Sequence, residues 1–377
     1  MKLRRVRAVA RKEFLHVVRD LRSLGMAIAI PMLMLILFGY ALTVDVDNVP
    51  TVVWDQSGTQ ASREFLSRFG GSPYFSLTGY VRDYGAIERA IDTREALVAL
   101  VIPSEFAERI ETGRRVSVQM IVDGSDSNTA TIAIGYAEAI SRIYSQEVAI
   151  DALRRLGGPE IRTPLEIRPR VWFNADMESR NYIIPGLIAV IMMVIAALLT
   201  SLTVAREWER GTMEQLVSTP VKAAELILGK LIPYFAIGML DVLLAVLMGQ
   251  FVFGVPLRGN VALLFGMAAV FLAGTLAMGM LISIVTKSQL LASQLAMVAT
   301  FLPAFLLSGF MIPIANMPAP IRAVTYVVPA RYFVKLLHGI YLKGVGLEIL
   351  AFEAILLTIY GAVMVLVANV KFKKKLT

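Results

Sequence analysis

The sequence predicts an α-helical polytopic membrane protein of six transmembrane helices with an inserted extracytoplasmic α/β (or α+β) domain. Of its 377 residues, 56% are hydrophobic and 18% are charged, whereas a soluble globular protein carries about 25% charged residues. Six stretches are apolar over roughly the 20 residues that a helix needs to cross a bilayer. A charged region with alternating strand and helix patterns separates the first stretch from the others.

Residues 1–23 are predicted to form an amphipathic helix on the cytoplasmic surface of the membrane. Its basic residues lie off one apolar stripe, and anionic lipid would attract them. The stripe consists of Val6, Ala10, Phe14, Val17 and Leu21. A solvated leader helix is the alternative, but the segment runs directly into a span. It is too long for the basic region of a signal peptide, so no cleavable signal peptide is expected.

Transmembrane helix 1 is predicted at residues 24–43, where Pro31 can kink the helix. Residues 181–377 carry transmembrane helices 2–6, which are predicted at 181–204, 231–253, 261–285, 290–312 and 350–370. Lysine and arginine mark the cytoplasmic side of short loops. They are frequent near the N-terminus, in the loop 205–230 and in the basic tail 371–377. Both termini and this loop are therefore predicted to be cytoplasmic.

The region 44–180 is predicted to be a soluble domain on the extracytoplasmic side. Period-two apolar runs bounded by turn residues predict strands at 50–54, 74–80, 97–102, 116–122 and 165–172. Amphipathic periodicity predicts helices near 59–69, 84–95, 104–112 and 128–155. Alternating strands and helices favour an α/β or α+β layer fold.

The segment 313–349 is predicted to re-enter the membrane from the outer side. Prolines break its apolar sequence into pieces too short to cross, at positions Pro313, Pro318, Pro320 and Pro329. Backbone at membrane depth must satisfy its hydrogen bonds internally, so such pieces form short helices packed on a bundle. A simple outer loop is the alternative.

The loop 205–230 is the most informative segment for function. It is charged and helix-prone, lies between two spans and cannot enter lipid, so we expect it to offer a docking surface to a soluble partner. Gly211 and Thr212 indicate that a helix restarts there, with Thr212 as its cap. The apolar face of that helix would carry Met213, Leu216 and Val217. The alternative is that the charges merely form a solvated face.

No motif for chemistry is present in the sequence. There is no GxxxxGK[ST] phosphate loop, no G-x-S-x-G elbow and no H-E-x-x-H helix. The lack of cysteine excludes thiol catalysis and disulfides, and His16 and His338 lie too far apart to suggest a metal site. The basic residues flank spans and form no aromatic-studded groove, which argues against nucleic-acid binding. We therefore expect no catalytic site, metal or cofactor on this chain.

Asp241 is the one acidic residue placed centrally in a predicted span. An ionisable group in lipid costs free energy and suggests a function, such as proton coupling. A proton relay would need further buried acids or histidines in the spans. A hydrogen-bonded structural aspartate is therefore the preferred interpretation.

Two sequence patterns carry a resemblance to a known family. The first, E-x-x-R-G-T-x-E-x-L-x-x-x-P-x-x-x-x-E-x-x-x-G-K, extends from Glu207 to Lys230. The second runs from Ser308 to Pro313 (SGFMIP) and continues with Met317-Pro318 and with the PARYF sequence that begins at Pro329. Both resemble the permease subunits of ABC-2 type exporters, and the arrangement of one span, a large external domain and five more spans resembles the multidrug-type permeases.

The resemblance implies a half-transporter that pairs with a second copy or a sister permease. It also implies a separate ATP-hydrolysing subunit, which holds the ATP and Mg²⁺. By this analogy, the contact with that ATPase is formed by Glu207, Arg210, Gly211, Thr212, Glu214, Leu216, Pro220 and Glu225. The N-terminal helix lies beside it. Substrate-binding residues cannot be transferred from a motif.

The preferred hypothesis is therefore an exporter subunit of the bacterial inner membrane. Spans with few charges suit a hydrophobic or amphipathic, drug- or lipid-like compound better than an ion. Membrane lipid and a periplasmic adaptor are further conceivable partners. A proton-coupled secondary transporter acting through Asp241 is the second hypothesis, and it would work without ATP. A non-transporting receptor or assembly factor is the third, although such proteins seldom need five clustered spans.

Overall fold

The structure is a computed structural model that describes residues 2–42, 46–155, 170, 172–174 and 178–372. The chain divides into two compact units. One consists of residues 1–43 and 170–377, which we call the membrane unit, and the other of residues 44–169, which we call the α/β unit. The α/β unit begins at the residue where the domain 44–180 was predicted to begin, and the position of this domain outside the membrane stays a prediction.

Two helices open the membrane unit, α1 (Leu3–Arg19) and α2 (Leu21–Ala41). The N-terminal helix therefore ends before residue 23, because Asp20 leaves the helical conformation (φ −92°, ψ 73°). Of the predicted apolar stripe, Val6 is buried inside the protein and Phe14 is 54% exposed, so a lipid contact of Phe14 stays a prediction. Glu13 takes the buried place beside it, because a cation from another helix pairs with this carboxylate.

The α/β unit contains one mixed sheet with helices between its strands. In chain order its elements are β1 (Val49–Asp55), α3 (Gln60–Gly70), β2 (Phe75–Tyr80), α4 (Tyr84–Asp92), β3 (Val98–Ile102), α5 (Phe106–Glu111), β4 (Gln119–Val122) and α6 (Ser127–Arg155). The strand order is β2-β1-β3-β4, and only the β3–β4 pair is antiparallel. These bounds confirm four predicted strands and four predicted helices. Most of the predicted strand 165–172 lies outside the described residues.

Local capping fixes where these helices begin. The Thr59 hydroxyl accepts a hydrogen bond from the Ser62 amide, and the Ser62 hydroxyl accepts one from the Thr59 amide, which forms a capping box at α3. The Asp83 carboxylate accepts from the Ala86 amide at the start of α4. Both faces of the sheet are buried, around Val53 on one side and Val52 on the other. The unit therefore has the layered core expected of an α/β fold.

The rest of the membrane unit is helical. Its helices are α7 (Ser179–Glu209), α8 (Thr212–Ser218), α9 (Ala223–Phe251), α10 (Val261–Thr286), α11 (Gln289–Leu307), α12 (Ala319–Val324), α13 (Pro329–His338) and α14 (Leu347–Lys371). Among the described residues, six helices are long and apolar enough to cross a membrane, namely α2, α7, α9, α10, α11 and α14. This confirms the predicted number of spans. The helix predicted to reach residue 312 stops at Leu307, because Gly309 turns the chain with φ +86°.

Helix α7 forms the centre of the membrane unit and packs against α2, α9, α10, α11 and α13. It lies close against α10, where Gly279 faces Ala197 and Thr200. The segment 313–349 forms α12, α13 and short turns of 3₁₀ or π helix, at Ile314–Asn316, Thr325–Val327 and Gly339–Lys343. Helix α13 is packed into the bundle, and Phe333 stacks on Phe271 of α10 with 4.1 Å between ring centroids. Its depth in the membrane stays a prediction.

Candidate functional site

The loop 205–230 is built around a sharp reversal between α7 and α8. Arg210 follows the last residue of α7, and Gly211 then adopts φ +71°, the left-handed conformation that glycine adopts without steric cost. Helix α8 begins at Thr212 itself, so the prediction that Thr212 caps this helix is wrong. Its hydroxyl instead donates a hydrogen bond to the carboxylate of Glu207 on α7. The buried side chain of Met213 anchors the start of α8.

A cluster of four charged side chains lies behind this reversal. Lys230 of α9 is only 2% exposed, and its Nζ donates to Glu13 Oε1 of α1 at 2.6 Å and to Glu207 Oε1 at 3.2 Å. Lys12 Nζ donates to the same Glu207 oxygen at 3.0 Å. We call Lys12, Glu13, Glu207 and Lys230 the charge cluster. It joins α1, α7 and α9, and through Thr212 it also holds α8.

The charge cluster contains two acids and two bases, so its formal charge is zero. This balance of charge is important because Glu13 and Lys230 are almost fully buried. Removing one partner from a buried ion pair leaves an uncompensated charge, which destabilises a protein by roughly 3–5 kcal/mol. The four elements that meet at this point therefore cannot separate without a large loss of free energy.

A second contact attaches α1 to the same loop. The fully buried Glu225 accepts hydrogen bonds from the backbone amides of Lys2 at 2.6 Å and Lys222 at 3.0 Å, and the Arg5 guanidinium lies 3.6 Å away. Close packing reinforces this attachment, since a Cβ on Gly229 would lie 2.6 Å from Cβ of Val9. Glu225, predicted to contact a partner, thus holds α1 against α9.

The turn between α10 and α11 adjoins the other side of the α7 end. The Glu209 carboxylate accepts from the Gln289 amide at 2.7 Å, and Gln289 Oε1 accepts from Arg206 Nε at 3.3 Å. The Lys287 ammonium lies 4.6 Å from the ring centre of Trp208, a distance typical of a cation–π contact. Three parts of the chain therefore meet at one end of the helix bundle: α1, the loop 205–230 and this turn.

The eight residues predicted to contact a partner fall into two groups in the structure. Glu207 and Glu225 point inward, and Thr212 is half-buried against Glu207. The exposed members are Arg210, Gly211, Glu214 and Pro220. The side chain of Leu216 lies outside the described residues. The exposed group forms the surface that a soluble partner can reach.

Sequence reasoning missed the roles of Lys12 and Glu13. One signal for Glu13 was available: it follows Val6 by seven residues and so lies on the apolar face of an amphipathic helix. An acid in that position needs a buried cation as its partner. Lys230 was part of the loop pattern, but nothing in the sequence pairs it with a residue more than 200 positions earlier.

Asp241 lies in the middle of α9 and is fully buried. The preferred interpretation, a hydrogen-bonded structural aspartate, is not supported, since neither carboxylate oxygen has a hydrogen-bond partner within the described part of the chain. The charge cluster, by contrast, is fully paired. Asp241 lies 11 residues beyond Lys230 on α9, about 17 Å at 1.5 Å per residue, and so does not belong to the site formed by the loop 205–230.

The comparisons with known proteins agree with this architecture. The family profile described as ABC-2 family transporter protein matches residues 22–369. The chain is 41% identical to "Probable multidrug ABC transporter permease YbhS" of Escherichia coli strain K12, over 96% of this chain and 94% of that protein. It is 29% identical to "Probable multidrug ABC transporter permease YbhR" of the same strain, over 92% of each chain. A further relative, "Inner membrane transport permease YhhJ", is 26% identical over 95% of this chain and 96% of its own length. With a family match over most of its length and six apolar helices, this chain belongs to the ABC-2 family of transporter permeases.

Proposed function

We propose that this chain is the export-pathway subunit of an ABC-2 exporter in the bacterial inner membrane, driven by a separate ATPase subunit. ATP and Mg²⁺ would be held by that partner, and a second copy or a sister permease would complete the pathway. The names of the relatives support this assignment, since two are called multidrug permeases and one an inner membrane transport permease. The termini and the loop 205–230 are cytoplasmic in this proposal, and the α/β unit is extracytoplasmic.

The charge cluster is the observation that carries the proposal. A pump whose ATP is hydrolysed on another polypeptide needs a rigid connection between its docking surface and its membrane helices. Lys230 supplies one, because it bonds to α1 and α7 from α9, and Glu207 in turn bonds to α8. A force applied to α8 would therefore act on α1 and on two spans together. A solvated loop without buried contacts could move alone and would transmit nothing.

The ATPase would contact the exposed rim of this loop. Arg210 and Glu214 carry opposite charges on either side of the Gly211 reversal, and both are exposed. Charged residues at the edge of an interface set its orientation and its rate of association more than its affinity. We therefore assign partner recognition to Arg210 and Glu214, and mechanical linkage to the buried charge cluster.

The transported compound would be hydrophobic or amphipathic. The spans contain few charges, and a path for an ion would require charged or carbonyl groups along it. Rigid movement of α7, α9 and α10 would open the path toward the outside. In the same proposal a periplasmic adaptor binds the α/β unit, and a pull-down with that unit as bait tests this.

The test compares Glu214→Lys with Glu88→Lys in the complex reconstituted with its ATPase. Glu88 is an exposed acid of α4 in the α/β unit, so its replacement makes the same change of charge far from the loop in sequence. We expect Glu214→Lys to disturb the orientation and rate of docking by the ATPase, and so to reduce ATP-driven efflux of a fluorescent amphipathic dye from proteoliposomes strongly while the bundle stays folded. Glu88→Lys should transport like the wild type. Wild-type efflux from Glu214→Lys would contradict the proposal.

Two further measurements distinguish the exporter from a proton-coupled carrier and from a receptor. Without the ATPase, the wild-type chain should move no dye, whereas a proton-coupled carrier would move it along a pH gradient. Asp241→Asn replaces a buried acid by a neutral group of the same shape, and we expect it to preserve ATP-driven efflux. Loss of transport in Asp241→Asn with normal ATP hydrolysis would favour the proton-coupled alternative. A receptor would show no ATP-dependent flux in any arm.

A further inference from the structure

A cavity lined by both charged and aromatic side chains lies at the end of the helix bundle that is farthest from the charge cluster. It has a volume of about 550 Å³ and is lined in part by Tyr182, Arg331, Lys335, His338 and Glu353. Tyr182 and Glu207 lie at opposite ends of α7, and 25 residues at 1.5 Å each separate them by about 38 Å. The cavity, which we call the α13 cavity, is thus a membrane thickness away from the proposed ATPase contact and has no part in it.

Arg331 is held in place on the wall of this cavity with most of its donors unused. Its guanidinium lies 3.8 Å from the ring centre of Tyr326 and donates a hydrogen bond to the Thr325 hydroxyl. A guanidinium carries five N–H donors, and within the described chain this is the one side-chain hydrogen bond that Arg331 makes. The ring and the hydroxyl fix its orientation, so the remaining donors form a preorganised site for an anion.

Lys335 adds a second cation on the same face of α13. It follows Arg331 by four residues, which places the Cβ atoms of the two residues about 5–6 Å apart on one face of the helix. Its ammonium pairs with Glu353 of α14, whose side chain is 8% exposed, while the lysine side chain is 68% exposed. The lysine therefore keeps an open side. Like charges at this spacing repel each other, and an anion between them would remove that repulsion.

The walls around these cations are aromatic and already satisfied in their hydrogen bonds. The His338 ring stacks on Tyr182 at 4.2 Å, and its Nε2 donates to the Tyr182 carbonyl oxygen at 2.8 Å. The Tyr332 hydroxyl donates to the Tyr326 carbonyl oxygen at 2.6 Å. These groups offer ring faces instead of competing polar atoms. Phe352, 64% exposed, continues the apolar surface at the rim of the cavity.

We infer that the α13 cavity binds the phosphate group of an amphiphile, with Arg331 and the open side of Lys335 as its ligands. The charged side chains of the cavity sum to +1, because Glu353 offsets one of the two cations. Arginine matches the geometry of phosphate with paired N–H donors. A cationic ligand is disfavoured, because Glu353 is buried and already paired. The apolar rim beside the cations accommodates the hydrocarbon part. This inference is independent of the proposed coupling to an ATPase.

The test measures binding of dioctanoyl phosphatidylglycerol to the full chain in neutral detergent by native mass spectrometry. Dioctanoylglycerol, which lacks the phosphate, and inorganic phosphate are the two comparison probes. We expect saturable binding of the phospholipid and weaker binding of dioctanoylglycerol. Loss of charge-assisted hydrogen bonds in Arg331→Gln should weaken phospholipid binding by about tenfold. Arg258→Gln removes an exposed arginine outside the cavity and should leave binding unchanged.

The outcomes show whether the bound phosphate belongs to a lipid or is free phosphate, and whether Arg331 binds it. If inorganic phosphate fails to displace the phospholipid, the ligand is a lipid-like amphiphile, as inferred. Binding of inorganic phosphate alone, abolished by Arg331→Gln, would retain the phosphate site but overturn the amphiphile. Equal binding of dioctanoylglycerol, or wild-type binding by Arg331→Gln, would overturn the inference altogether. Should Arg331→Gln fail to fold, the paired variant Lys335→Gln with Glu353→Gln removes the second cation together with its partner. That variant must also bind the phospholipid more weakly for the inference to stand.

Discussion

At the scale of single residues, Lys230 explains why the loop pattern ends in a lysine. Its long side chain lies in the interior at 2% exposure and brings one ammonium within hydrogen-bond distance of two carboxylates on two other helices. An ammonium carries three donors, which suits a junction between several elements. An arginine would present a rigid planar fork there, and its geometry would favour two oxygens of one carboxylate.

Lys230→Met should destabilise the membrane unit by about 3–5 kcal/mol, because Glu13 and Glu207 would lose their buried cation. The measurement is the midpoint of thermal unfolding in detergent. Adding Glu13→Gln and Glu207→Gln to this variant should recover much of the loss, since no buried charge would remain uncompensated and the Lys12 side chain is 55% exposed. Lys371→Met, at an exposed lysine near the end of α14, is the control. Equal midpoints for Lys230→Met and the wild type would show that the charge cluster does not hold the helices together.

The individual contacts of the site were only partly predictable. The sequence indicated that the loop 205–230 is functional, and Arg210, Gly211 and Glu214 are indeed exposed. It could not separate them from Glu207 and Glu225, because an acid looks the same in a sequence whether it faces solvent or a buried lysine. The pairing of Glu13 with Lys230 depends on how α1 lies against α9. Such long-range packing leaves little trace in a single sequence.

At the scale of elements, the contact between α7 and α10 depends on Gly279, which has no side chain. A Cβ at Gly279 would overlap Thr200 Oγ1 and the Ala197 carbonyl oxygen, and would lie 2.9 Å from Ala197 Cα. The Thr200 hydroxyl donates to the Leu276 carbonyl oxygen of α10 at 2.9 Å across the same contact. Small residues allow helices in membranes to approach closely and to hydrogen-bond across the interface.

Gly279→Val should push α7 and α10 apart and lower the thermal midpoint by several degrees, since overpacking costs about 1–3 kcal/mol or more. Gly266→Val is a matched control on the same helix, because a Cβ at Gly266 meets nothing within 4 Å. Both substitutions change helix propensity equally. If the two variants unfold at the same temperature, the close contact contributes nothing to stability.

Element positions were predicted well where a single physical rule determines them. The hydrophobic length rule located all six spans, and period-two patterns located the four described strands. Errors arose at helix ends. Helix α7 continues to Glu209, past the predicted residue 204, because a helix can extend beyond the lipid once its side chains find partners in the charge cluster. The break at Asp20 has no comparable signal in the sequence.

At the scale of the whole molecule, the division into two units has a direct consequence for folding. The α/β unit has its own buried residues on both faces of its sheet, including Phe65 and Leu100 on one face and Ile87 on the other. The membrane unit has a separate core. A domain with its own hydrophobic core can in principle fold alone.

Residues 44–169, expressed as a soluble fragment, should therefore fold independently. We expect one cooperative transition in chemical denaturation, with a free energy of unfolding on the order of 5–15 kcal/mol. Phe65→Ala should lower it by about 3–5 kcal/mol, because a buried aromatic side chain is removed. A fragment that shows no cooperative transition would show that the unit needs the membrane helices. Identical unfolding of the wild-type and Phe65→Ala fragments would show that this side chain does not contribute to the core.

The distance in sequence between Glu13 and Lys230 also bears on how the protein is made. The two residues are 217 positions apart, so at 5–20 residues per second the ribosome needs roughly 10–40 s to supply the lysine after the glutamate. Throughout that interval α1 exists without the helix it will pack against. Its outward apolar side chains, among them Phe14 and Leu15, can rest in the lipid headgroups meanwhile. The membrane surface would thus keep the apolar side chains of the nascent N-terminal helix away from water until α9 is synthesised.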